Sequence, residues 1–120
     1  MTDNEQALIL LGKIIEQGHE QSVLDRIYGV LRRKVKAVYN QPGGHLVLRS
    51  LIDRHEVDRE TISLFLMSEI PENIDAGYAA LHADGKSPNL MKMPVLLQHL
   101  VGPTYKVRAA AARFVREYAA

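Results

Sequence analysis

The sequence predicts an all-α protein, and three observations predict it. Apolar residues recur at spacings of three and four nearly throughout, no apolar–polar alternation is long enough for a strand, and Pro, Gly and capping residues punctuate the chain at helical lengths. The expected architecture is one domain over residues 1–120, a compact bundle of six or seven helices. An N-terminal antiparallel helical hairpin (1–40) is followed by a bundle of shorter helices (44–120). A chain of 120 residues buries a core of useful size without disulfide or metal staples.

Each element has its own local cause. Ala7, Leu8, Leu11, Ile14 and Ile15 mark one face of a first helix, opened by a Thr2–Glu5 capping box and closed at Gly18. Ser22 opens a second helix whose seam, Leu24, Tyr28, Leu31, Val35 and Val38, is spaced 4-3-4-3. Ile9, Leu10, Ile27 and Val30 fall outside or beside these faces, so the hairpin is apolar on more than one side and needs a second cover. Asn40-Gln41-Pro42-Gly43-Gly44 breaks the chain. Further helices are expected from about His45 to His55, from Arg59 to about Met67 with Asp58 as N-cap, and from Pro71 to Asp84. Ser87-Pro88 suggests a turn, Pro94–Val101 a helix stopped at Gly102, and Thr104 onward a last helix with Val107, Ala111, Phe114 and Tyr118 on one face. The run Ala109–Ala112 allows another helix to come close.

Charge is arranged in blocks. Met1–Asp25 is acidic (five acids, one base), Arg26–Ile52 carries six bases and no acid, Asp53–Asp84 carries eight acids and two bases, and Gly85–Arg116 again carries six bases and no acid. The net charge of +1 therefore conceals segments that attract external partners or one another. Arg26, Arg33 and Lys36 share one helix face, and Lys106 and Arg113 share another; both are read as basic faces for an acidic partner or phosphate. Gly43 and Gly44 before a helix could cradle a phosphate, but they lack the spacing of any nucleotide loop and read first as a turn.

Catalytic chemistry is not visible. Without cysteine, disulfides, thiolate metal sites and thiol nucleophiles are excluded. His55 with Asp58, or His82 with Asp84, supplies two metal ligands but no third, and His99, in an apolar helix, reads as a buried structural residue. No enzyme activity, cofactor or metal is expected. The acidic N-terminal residues and short apolar runs point away from a secretory signal and a membrane span, so a cytoplasmic location is expected.

What remains is binding. The leading expectation is a small regulatory or adaptor protein that binds another protein, such as a transcription factor, as its antagonist or co-regulator. A homodimer is expected, with Leu8, Leu11, Ile15, Leu24, Leu31 and Val35 at its interface. The alternative is a DNA-binding regulator with a degenerate helix-turn-helix over residues 46–67, two helices joined by a tight turn, reading bases with Arg59, Glu60 and Ser63. Against it, the segment is acidic, whereas most DNA affinity comes from phosphate contacts. The apolar stretch Leu90–Leu97 is expected either at the bundle centre or at a contact surface for another protein.

Overall fold

A helix that is apolar or small on nearly every side must be enclosed, and Pro71–Ala83 is such a helix: it buries Asn73, Ile74, Ala76, Gly77, Tyr78, Ala80 and Leu81. The structure is a computed structural model that describes residues 6, 7, 9–11, 13, 21–54, 56–84 and 91–119. Six α-helices are delimited among these residues: α1 (Gln21–Lys34), α2 (Gly44–Ile52), α3 (Arg59–Leu66), α4 (Pro71–Ala83), α5 (Met93–Val101) and α6 (Tyr105–Ala119). A 3-10 turn, Val35–Val38, extends α1. Residues 6, 7, 9–11 and 13, from the first expected helix, are also helical, and no described residue is in a strand. The chain is an all-α bundle.

α4 is its axis. α2 and α3 pack principally on α4 and not on each other, α6 lies against another part of it, and α5 packs on α6. Leu48, Leu51, Phe65 and Leu81 are completely enclosed, with Ile62, Leu66 and Ala111 close behind. Each large side chain removed from water in this way contributes about 1.5–3 kcal/mol.

The α1 seam faces this core. Tyr28, Leu31 and Val35 are buried, and Leu24 and Val38 pack against them. The expected dimer interface is therefore corrected for Leu31 and Val35, which are only 5 % and 3 % exposed within the single chain. They are enclosed by their own core and have no surface to offer a second copy. Leu11 and Leu24 also pack partly against that core, while Leu8 and Ile15 lie outside the described residues. Among the described residues of this region, the large apolar side chains left uncovered are Leu10, Val23 and Val30.

Two asparagines secure the break between α1 and α2. Asn73 on α4 is fully buried; its Oδ1 accepts the His45 N–H at 2.8 Å, and its Nδ2 donates to the carbonyls of Tyr39 (3.0 Å) and Gln41 (2.9 Å). Asn40 Oδ1 accepts from Glu69 N–H at 2.8 Å and from the Ser68 hydroxyl at 3.1 Å. Gly43 takes a left-handed φ of 86°, and a Cβ on Gly44 would stand 2.1 Å from the Val38 carbonyl oxygen. Both glycines thus serve the turn. The N–H groups of Gly44 and Leu46 are taken by Gln41 O and Gly43 O, so with His45 N–H on Asn73 no phosphate cradle is open here.

The helix expected over His45–His55 ends at Ile52, because the N–H groups of Arg54 and Glu56 both donate to the Leu51 carbonyl and turn the chain. α3 starts where expected: Asp58 Oδ1 accepts from both the N–H and the hydroxyl of Thr61 at 2.8 Å. Residues 53–58 therefore separate α2 from α3, more than the tight turn of a helix-turn-helix spans, and the two helices pack on α4 and not principally on each other.

Candidate functional site

Ion pairs answer the question raised by the charge blocks. The first basic block meets the acidic one: Arg32 lies 3.7 Å from Glu56, Lys36 lies 2.8 Å from Glu60 and 3.5 Å from Asp58, and Arg49 lies 2.8 Å from Asp75. Hydrogen bonding to Glu60 holds the Lys36 ammonium above the ordinary lysine range, against the opposing effect of desolvation. Lys36 thus leaves the proposed basic face, while Arg26 and Arg33 remain exposed, with no ion pair among the described residues.

The expected DNA-reading residues fare similarly. Glu60 is engaged by Lys36, Arg59 reaches Asp84 at 3.8 Å, and Ser63 is half-buried. They do not form a free reading head.

The second basic block is different. Among the described residues its ion pairing is confined to Arg113, which meets Glu117 one turn along the same helix at 3.0 Å. Arg108 is turned inward and donates to the Gly102 carbonyl at 2.7 Å, holding the α5–α6 corner. Lys106 and Arg116 are exposed and have no ion pair among the described residues.

Lys106 and Arg113 line a trough of about 590 Å³ between α4 and α6. It exists because α6 buries Val107 and Ala111 against the core while small residues, Ala109 and Ala110, flank them and face Ala79 of α4. Tyr78, Tyr105 and Phe114 supply aromatic walls, and Arg49 with Asp75 stands at the edge. Glu117 accepts from Arg113 Nε and lies 3.2 Å from His82 Nδ1. The Arg113 hydrogen bond lowers the Glu117 carboxyl below its ordinary range, with His82 adding to the effect against desolvation.

Under the trough lies a buried polar pair. Tyr78 Oη and His99 Nδ1 are 2.7 Å apart, linking α4 to α5. Burial lowers His99 below its ordinary pKa, while a hydrogen bond to the backbone of Leu66 opposes that shift. Burial alone pushes the Tyr78 phenol up. His99 is thus buried with a hydrogen-bond partner. His82 is engaged by Glu117 and Asp84 by Arg59, and no group of three metal-ligating side chains occurs among the described residues.

Beyond the trough, α5 has two faces. Leu96 and His99 point inward, whereas Met93, Leu97 and Val101 are 64 %, 55 % and 82 % exposed. Residues at i, i+4 and i+8 lie on one side of a helix, so these three form a stripe, and Tyr105, also exposed, follows where the chain enters α6. The apolar stretch around Pro94 therefore serves both core and surface. No helix among the described residues is long and apolar enough to cross a membrane.

Sequence reasoning found Lys106 and Arg113 but not their setting. Tyr78, Asp75 and Glu117 went unnoticed, although Lys106, Ala109, Ala110 and Arg113 stand at i, i+3, i+4 and i+7 and were readable as one face. Comparison with protein-family models, with curated proteins and with solved structures finds no match to this chain.

Proposed function

We propose that this protein is a small non-catalytic adaptor that works by protein–protein binding and self-associates through the outer face of α5. One observation carries the reading: Met93, Leu97 and Val101 form an uncovered apolar stripe on a helix whose other face is built into the core. The segment Met93–Val101 contains no Lys, Arg, Asp or Glu. Two copies can therefore meet there about a two-fold axis, stripe on stripe, without like-charge repulsion. The homodimer thus moves from the hairpin, whose Leu31 and Val35 are enclosed, to α5. DNA binding is the weaker reading, since Lys36 and Glu60 neutralise one another.

Sedimentation of the wild type and of Leu97→Glu/Val101→Glu tests it. The expected result is a dimer whose population rises with concentration, and a double variant with unchanged helical circular dichroism that stays monomeric. A wild type that remains monomeric at every concentration overturns the reading, as does retention on duplex DNA that falls steeply with salt.

A further inference from the structure

We infer that the trough between α4 and α6 is a docking groove for an acidic amphipathic helix of a partner protein. The inference deepens the adaptor reading by naming what is bound, and uses a surface that meets the α5 stripe only at Tyr105.

The shape favours a helix. The groove is lined by Asp75, Tyr78, Ala79 and His82 on α4 and by Lys106, Ala109, Ala110, Arg113 and Glu117 on α6. Both sets recur at spacings of three and four, so the groove follows the helices that wall it. From Lys106 to Glu117 it extends along α6 for about 16 Å at the α-helical rise, the length of three turns. It is an open trough and not a closed chamber, and its alanine floor permits another backbone to approach closely. Apolar residues of the incoming helix would lie on Ala79, Ala109, Ala110 and Phe114, the arrangement by which amphipathic helices occupy grooves.

Charge sets the class of helix. Arg49 with Asp75 and Arg113 with Glu117 form pairs that neutralise one another, so Lys106 supplies the trough's excess positive charge. Lys106 has no ion pair among the described residues, and Arg116 lies exposed on the same helix. A partner with Glu or Asp beside its apolar stripe is attracted and oriented by these two cations, and a basic one is rejected.

The test uses a fluorescein-labelled peptide of about 16 residues, with Leu along one helical face and Glu beside it, and a counterpart with every Glu replaced by Lys. Fluorescence anisotropy should show saturable binding of the acidic peptide and none of the basic one. Lys106→Glu/Arg113→Glu should weaken binding at least about tenfold. Ala109→Leu, which fills the trough and leaves the charges in place, should also abolish it. Leu97→Glu/Val101→Glu should leave binding intact, which separates this site from self-association at α5. Equal binding of the two peptides, or full binding by Ala109→Leu, overturns the proposal. So does saturable binding of octanoate with no response to the acidic peptide, which would make the trough a small-molecule site.

Discussion

Asn73 Oδ1 accepts the backbone N–H of His45 at 2.8 Å, across 28 residues of sequence. One enclosed amide thereby caps the start of α2, and its Nδ2 holds the carbonyls of Tyr39 and Gln41 against α4. Asn73→Ala takes a partner from three backbone groups, of which the Gln41 carbonyl keeps the Gly44 N–H; each unsatisfied buried group costs about 1–3 kcal/mol, and solvent can reach part of this loop. A loss of about 3 kcal/mol is expected, read as a lower urea midpoint at unchanged slope. Asn73→Asp should be nearly as damaging, since it restores the acceptor but neither donor.

The two turn glycines should differ. Gly44→Ala places a methyl group against the Val38 carbonyl oxygen, a backbone atom that cannot swing aside, and should prevent folding or cost more than about 2 kcal/mol. Gly43→Ala must take the left-handed φ and should cost about 1–2 kcal/mol. Gly29→Ala in α1, whose added carbon has Arg33 Nη1 3.8 Å away, should instead stabilise by about 1 kcal/mol. Thermal denaturation of the three variants tests the order.

His99 makes stability depend on pH. Its folded pKa lies below the unfolded value of about 6.5, so in the window between them the unfolded chain binds more protons. The stabilisation is complete above about pH 6.5 and declines as pH falls toward the folded pKa. Urea midpoints taken on either side of this window should drop in the wild type and drop less in His99→Gln. Tyr78→Phe removes the hydrogen bond to His99 Nδ1 and should cost about 1–2 kcal/mol.

Asp58 provides a test on the acid side. Desolvation raises its carboxyl pKa, but hydrogen bonds from Thr61 and the nearby Lys36 outweigh it and place the group below the ordinary carboxylate range. Its cap is therefore complete above the ordinary value and lost as pH falls through the folded one. Asp58→Ala should cost about 1 kcal/mol at neutral pH, the usual worth of an N-cap. Asp58→Ser should recover most of it, measured by urea unfolding.

The parts legible beforehand were those with local causes. Pro71 opens α4, Gly102 ends α5 and Asp58 caps α3, because a missing N–H, a helix stop or a side chain three residues from its target acts within one turn. The end of α2 was harder: nothing local near His55 announces that Arg54 and Glu56 will share the Leu51 carbonyl. For the candidate site, the cations Lys106 and Arg113 could be read, whereas the pairing of Arg49 with Asp75 could not. Residues 26 positions apart meet only after α2 and α4 have packed.

From periodicity and punctuation alone the chain was bound to be all-helical, since i, i+3 and i+4 spacing reports which side chains a helix stacks together. Its charge blocks were equally plain, but a block has no direction until helices are arranged in space. Only tertiary packing decided that the first basic block would meet the acidic one while Lys106 found no ion pair among the described residues, that Leu31 and Val35 would go inward, and that Met93, Leu97 and Val101 would face out. The physical reason is that periodicity names the faces of a helix, while what covers each face depends on contacts between segments distant in sequence.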